Sequence, residues 1–134
     1  MADTFKFELV SPERILLSVD AEEVVVPGAE GEFTVLPGHA PVIAQLAPGV
    51  LSVKLQQGRK NVFVRSGFAD VTPSGLTILA ERAFVVEEAD ARTVERELDM
   101  AQKALDDAGD DEARMHVNRA IEQLRAIQSG KVAA

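Results

Sequence analysis

Pro27-Gly28-Ala29-Glu30-Gly31-Glu32-Phe33-Thr34-Val35-Leu36-Pro37-Gly38-His39-Ala40-Pro41 sets the architecture of the chain. The stretch holds three of the six prolines, three of the nine glycines and one of the two histidines. Gly reaches positive φ without strain, and Pro fixes φ while removing a donor. Here they enclose Phe33 to Leu36, a short apolar run that reads as one strand between two turns. Pro37 and Pro41 remove freedom that Gly38 locally restores, so the segment presents a defined surface rather than a linker.

The same grammar runs outward on both sides. Phe5, Phe7 and Leu9 alternate with Lys6 and Glu8, the period of a half-buried strand, until Ser11-Pro12-Glu13 breaks it. Ile15 to Val19 and Val24-Val25-Val26 follow, the latter stopped by Pro27-Gly28. Beyond Pro41, Val42 to Leu46 is apolar and Pro48-Gly49 turns. Leu51, Val53 and Leu55 alternate with polar neighbours up to Gln57-Gly58-Arg59-Lys60, and Val62 to Val64 return. Phe68 to Val71, then Leu76, Ile78 and Ala80 against Thr77, Leu79 and Glu81, flank the turn Thr72-Pro73-Ser74-Gly75. A last strand falls around Phe84 to Val86. This makes eight to ten short strands with turns between them and no helix-length segment, the spacing of an antiparallel sandwich or flattened barrel.

Near residue 87 the chain changes character: all six prolines lie at or before Pro73 and all six phenylalanines at or before Phe84. Asp90 is a good N-cap. Val94, Leu98, Ala101 and Leu105 then make one helical stripe, ended at Asp106-Asp107-Ala108-Gly109 with Gly109 as a left-handed cap. Asp110-Asp111-Glu112 opens a second helix. Its stripe is Ala113, Val117, Ala120, Ile121, Leu124 and Ile127, and Gly130 with Lys131 ends it. The expected class is α+β: an N-terminal antiparallel β-sandwich over residues 1–87 and a C-terminal antiparallel αα-hairpin over residues 88–134. The stripes are Ala-rich, so the hairpin needs the sandwich or a partner to pack against. A modest docking energy also makes it movable.

A net charge of −8 argues against a general nucleic-acid binder and against adsorption to anionic lipid. No apolar run is long enough for membrane insertion. With no Cys there is no disulfide, thiolate nucleophile or Cys-based metal site. The start, Met1-Ala2-Asp3-Thr4, lacks a signal peptide's basic and apolar regions, and a cytoplasmic protein is expected.

Few residues invite a chemical role. His39 and Glu32 could be paired as acid and base, but His39 is better read as anchoring the loop from Pro37 to Pro41 or facing a partner. His116, beside Met115, lies off the second stripe. Gly28-Ala29-Glu30-Gly31 lacks the Lys-Ser/Thr of a phosphate loop, and no metal-ligand spacing or nucleophile elbow occurs. No catalytic residue, metal or cofactor is expected, which favours a binding or structural role.

Leu9-Val10-Ser11-Pro12-Glu13, Val26-Pro27-Gly28 with Glu30-Gly31-Glu32-Phe33, and Val35-Leu36-Pro37-Gly38-His39-Ala40-Pro41 closely resemble the epsilon subunits of F-type ATP synthases. So do Pro48-Gly49-Val50, Ser66-Gly67-Phe68-Ala69-Asp70-Val71 and Ile78-Leu79-Ala80-Glu81. Thr34 stands where that family commonly has Gly. The resemblance implies a ten-stranded sandwich followed by two antiparallel helices, seated in the central rotor between the gamma subunit and the ring of c subunits. It places Glu30, Gly31 and Glu32 against the c ring, and Pro37, Gly38, His39, Ala40, Pro41 and Val42 against gamma. It implies transient contact of the hairpin with alpha and beta subunits, through Arg114, Arg119 and Arg125, and inhibition of ATP hydrolysis by an extended hairpin. With no transit peptide, the location implied is peripheral, on the cytoplasmic face of a bacterial inner membrane.

Family members that bind ATP carry Ile/Leu-Asp-x-x-Arg-Ala at the first helix start. This chain reads Ala89-Asp90-Ala91-Arg92-Thr93-Val94, so the Arg falls one residue early, about 100° around a helix. In the second helix Arg119 matches one of the family's two arginines, and Gln123 holds the place of the other. Asp90, Arg92 and Arg119 are therefore the residues left for at most a weak nucleotide contact, and ATP binding is expected to be weak or absent. The competing reading is a freestanding nucleotide-sensing module.

Overall fold

Ten strands and two helices follow one another in the computed structural model, which describes residues 3–130. Met1, Ala2 and Lys131 lie outside the described residues. The strands are β1 (Phe5–Val10), β2 (Ile15–Ala21), β3 (Glu23–Gly28), β4 (Gly31–Val35), β5 (Val42–Gln45), β6 (Gly49–Leu55), β7 (Gly58–Val64), β8 (Gly67–Thr72), β9 (Gly75–Ala80) and β10 (Ala83–Val85). A 3₁₀ turn, Val86–Glu88, leads to α1 (Ala91–Asp107) and α2 (Asp111–Gln128).

The strands form two five-stranded sheets, ordered β2-β1-β9-β8-β5 and β10-β7-β6-β3-β4. Their inward residues meet in one core, in which Phe7, Leu9, Val24, Val26, Leu51, Val53, Val62, Val64, Leu76 and Ile78 are all buried. Alternation places them: in β1, Phe5, Phe7 and Leu9 are buried while Lys6 is exposed and Glu8 partly so. Tight hairpins hold the register, with Thr72 opposite Gly75 and Leu55 opposite Gly58.

Four local readings differ from the sequence pattern. The pair β1–β9 is parallel, Phe7 lying opposite Leu76 and Leu9 opposite Ile78, because no hairpin joins these strands and the chain visits both sheets between them. Pro27-Gly28 does not stop β3. The strand pairs with β6 only over Glu23 to Val25, so Pro27 sits where no ladder donor is required, and its carbonyl accepts from Ala47 N–H at 2.8 Å. The last strand ends at Val85, and Val86 opens the 3₁₀ turn. Gly109 is not a left-handed cap: α1 ends on extended Ala108 (φ −66°, ψ 126°), and the chain passes straight to Asp110, which caps α2 by accepting from Ala113 N–H. Gly130, at φ 74°, does take the left-handed position after α2.

The sandwich turns a corner at two short connections. Arg65 and Ser66 carry the chain from β7 to β8, and Glu81 and Arg82 carry it back from β9 to β10. The two run side by side, Arg65 N–H donating to Arg82 O at 2.9 Å and Glu81 N–H to Ser66 O at 3.0 Å.

Candidate functional site

The acidic turn is a two-residue hairpin, Gly28 lying opposite Gly31 across Ala29 and Glu30. Ala29 N–H donates to Gln45 O at 2.8 Å, tying the turn to the other sheet. Glu30, Gly31 and Glu32 are exposed. Grooves beside them are lined on one side by Val42, Ile43 and Ala44, and on the other by Arg119, Glu122 and Gln123 of α2.

The loop from Pro37 to Pro41 is a fixed shape. His39 N–H donates to Leu36 O at 3.1 Å, closing a turn with Pro37 and Gly38 at its centre and Gly38 at φ 80°. Its ring donates from Nδ1 to Ala40 O at 2.8 Å. The imidazole thus holds its own loop, as the anchoring reading requires. Leu36 and Val42, which bracket the loop, are large apolar residues left exposed.

The outer face of the first sheet carries a feature that the sequence reading passed over. Phe68 lies opposite Leu79 and Leu79 opposite Val10, while Ile15 pairs with Val10 and Gln45 with Phe68. Of these, Ile15 is 58% exposed, Phe68 50% and Leu79 47%, and nearby Ile43 reaches 73%. An apolar band therefore crosses β2, β1, β9 and β8, its row ending on Gln45 of β5 with Ile43 diagonal to Phe68, and a groove of about 370 Å³ along it is lined by Val10, Gly67, Phe68, Leu79 and Ala80. Its signals were Val10, Phe68 and Leu79, apolar residues at the outward positions of otherwise alternating strands.

The second sheet is covered instead by the hairpin. Phe63 is fully buried among Ala101, Val117, Ala120, Ile121 and Leu124 of the helices, with Phe84 and Val86 beside it. Its ring stacks on Phe84 at 5.2 Å between centroids. Glu97 is also buried here, inside the apolar stripe of α1, and it receives a two-pronged contact from the Arg82 guanidinium. That contact holds Arg82 above its ordinary pKa. Among the described residues no cluster of three or more His, Asp or Glu could hold a metal, and no helix is long and apolar enough to cross a membrane.

Residues 4–86 match the family model of the ATP synthase delta/epsilon chain β-sandwich domain. An ATP synthase epsilon chain of Brucella anthropi is 48% identical over 129 residues, covering 96% of each chain. The chain belongs to the ATP synthase epsilon-chain family. The epsilon chains of Brucella canis and Brucella melitensis are 46% identical over the same share. Among solved structures, a chain of the Euglena gracilis mitochondrial ATP synthase, in an OSCP/F1/c-ring structure, superposes with a TM-score of 0.68 at 24% identity, covering 96% of this chain and 82% of that one. A chain of the Tetrahymena thermophila mitochondrial central stalk and c-ring structure gives 0.62 at 13% identity over 98% of both. At those identities the two structures testify to the fold.

In this epsilon-family chain the three residues left for a weak nucleotide contact do not converge on one site. Asp90 Oδ1 accepts from both the backbone N–H and the hydroxyl of Thr93, each at 2.9 Å. These two bonds, the backbone one first, pull its pKa below the ordinary aspartate value. Thr93 thus closes a helix cap at the position where the ATP-binding motif has Arg. Arg92 is exposed on α1, and Arg119 is exposed on α2 beside Ala29 and Ala47, facing the acidic turn.

Proposed function

We propose that the chain is a non-catalytic rotor subunit of a proton-driven ATP synthase, joining the gamma subunit to the c-subunit ring. The observation that carries this reading is the apolar band of Ile15, Val10, Leu79, Phe68 and Ile43 on the outer face of a rigid sandwich. Apolar area of this extent on one sheet face marks a docking surface for another protein. Gamma is the occupant, seated on the band and on the adjoining loop from Pro37 to Val42. The exposed turn of Glu30, Gly31 and Glu32 meets the polar loops of the c ring, where charge acts mainly on register and association rate. The working location is peripheral, on the cytoplasmic face of a bacterial inner membrane. The αα-hairpin is the regulatory arm, which restrains ATP hydrolysis when it leaves the sandwich for the alpha and beta subunits.

Titration of gamma with the full-length chain tests the reading. Phe68→Asp is expected to weaken binding by at least about a hundredfold, since it buries an unpaired carboxylate at the centre of the interface. Met115→Asp, which changes an exposed apolar residue on α2, is expected to bind as wild type. Equal affinity for wild type and Phe68→Asp would reject the band as the gamma seat.

The hairpin is governed by protein contacts rather than nucleotide. With Asp90 engaged by Thr93 and Gln123 in place of the second arginine, calorimetric titration with millimolar ATP, with and without magnesium, is expected to give no binding heat. A saturable 1:1 isotherm would instead make the hairpin a nucleotide sensor.

A further inference from the structure

Polar contacts between hairpin and sandwich fall on two sides of one short segment. On the near side, Asn61 donates to Glu87 twice, from its backbone N–H and from Nδ2, each at 2.8 Å. Lys60 Nζ donates to Glu88 at 3.0 Å. The 3₁₀ turn Val86–Glu88 is thereby fastened to β7. The next two residues, Ala89 and Asp90, are both extended, at φ −84° and ψ 138° and at φ −93° and ψ 173°. On the far side, Arg82 grips Glu97, with Nε donating to Oε1 at 3.3 Å and Nη2 to Oε2.

We propose that the Arg82–Glu97 pair is the latch of the hairpin and that Ala89–Asp90 is its pivot. Glu97 is 7% exposed and sits among Val94, Leu98 and Ala101 on the face that α1 turns inward. Without its guanidinium it is a buried, unpaired carboxylate, which the docked pose tolerates poorly and the released pose relieves by hydration. Arg82 itself belongs to the corner of the sandwich, one residue from Glu81 on the rim of the apolar groove. The latch is therefore anchored beside the surface assigned to gamma. Because Glu87 and Glu88 stay with β7, the rotation that frees α1 falls on the extended pair that follows them.

The latch rests on the reading of the hairpin as a movable arm, and hydrogen exchange on the isolated full-length chain separates the two. Arg82→Met is expected to raise exchange in α1 and α2 at least about tenfold while β1, β6 and β9 keep wild-type protection. The double variant Arg82→Met with Glu97→Met is expected to return close to wild type, since an apolar pair suits the buried face. Should Arg82→Met fail to fold, Arg82→Lys, which keeps the charge and loses the fork, is expected to shift exchange in the same direction by less. Glu87→Ala is expected to loosen the 3₁₀ turn without opening the helices. The latch is overturned if Arg82→Met or Arg82→Lys leaves helix exchange unchanged, or if the effects at Arg82 and Glu97 simply add. Opening by Glu87→Ala as large as by Arg82→Met would overturn the pivot. Helices that exchange only together with the sandwich strands in wild type would reject the movable arm itself, and the latch with it.

Discussion

Gly67→Ala is expected to prevent stable folding of the sandwich. Gly67 stands at φ 142°, a conformation that L side chains rarely adopt, and a Cβ there would lie 1.9 Å from Leu79 O and 2.9 Å from Ala80 Cα. These are backbone atoms of the paired strand, so no side chain can swing aside. The residue is fixed on its other side too, because its carbonyl accepts from Leu46 N–H at 2.9 Å. Relief requires β8 and β9 to part at the corner where the chain passes between sheets. Left-handed strain costs about 1–3 kcal/mol and forced overpacking about as much again, a large fraction of the stability of a small domain. Thermal unfolding followed by circular dichroism is the check. A Gly67→Ala protein melting within a few degrees of wild type would show that the corner relaxes without parting the strands.

What could be read from the sequence was whatever is local. The strands were legible because Pro and Gly punctuate them, and the helices because Asp90 and Asp110 cap stripes of period 3.6. Non-local facts were not. The parallel pairing of β1 with β9 depends on the path of the whole sandwich between them, and no window of residues encodes it. Pro27 read as a stop because its missing donor matters only if a partner strand lies on that side, and the partner leaves at Val25. Gly109 read as a cap because Gly commonly takes that role, whereas here the following aspartate re-enters a helix at once. The site divides in the same way. The exposed turn at Glu30 and the turn held by His39 are local motifs. The apolar band joins residues from all five strands of a sheet, and its local trace was confined to Val10, Phe68 and Leu79, apolar residues at outward positions of alternating strands. Glu97 was hidden among the many acidic residues of α1, because its burial depends on Arg82, fifteen positions earlier.

Phe63→Ala is expected to release the hairpin while leaving the sandwich folded. Phe63 is the fully buried sandwich residue in the cluster that the helices make, whereas its neighbours Val62 and Val64 point into the inter-sheet core. Truncating a buried Phe costs about 3–5 kcal/mol, part in lost transfer energy and part in the cavity. Here the cavity would open at the junction between two units rather than inside either, and it would also remove the stack on Phe84. The sandwich does not depend on this ring, because its core residues meet on the opposite face of β7. The helices do depend on it, since Phe63 is the fully buried sandwich side chain among Ala101, Val117, Ala120, Ile121 and Leu124. Hydrogen exchange by mass spectrometry is therefore expected to show α1 and α2 losing protection while peptides of β1, β6 and β9 stay protected. Simultaneous loss in strands and helices would mean that sandwich and hairpin form one cooperative unit. That outcome would also remove the physical basis for a regulatory arm, because an element that cannot leave without unfolding its base cannot act as a switch.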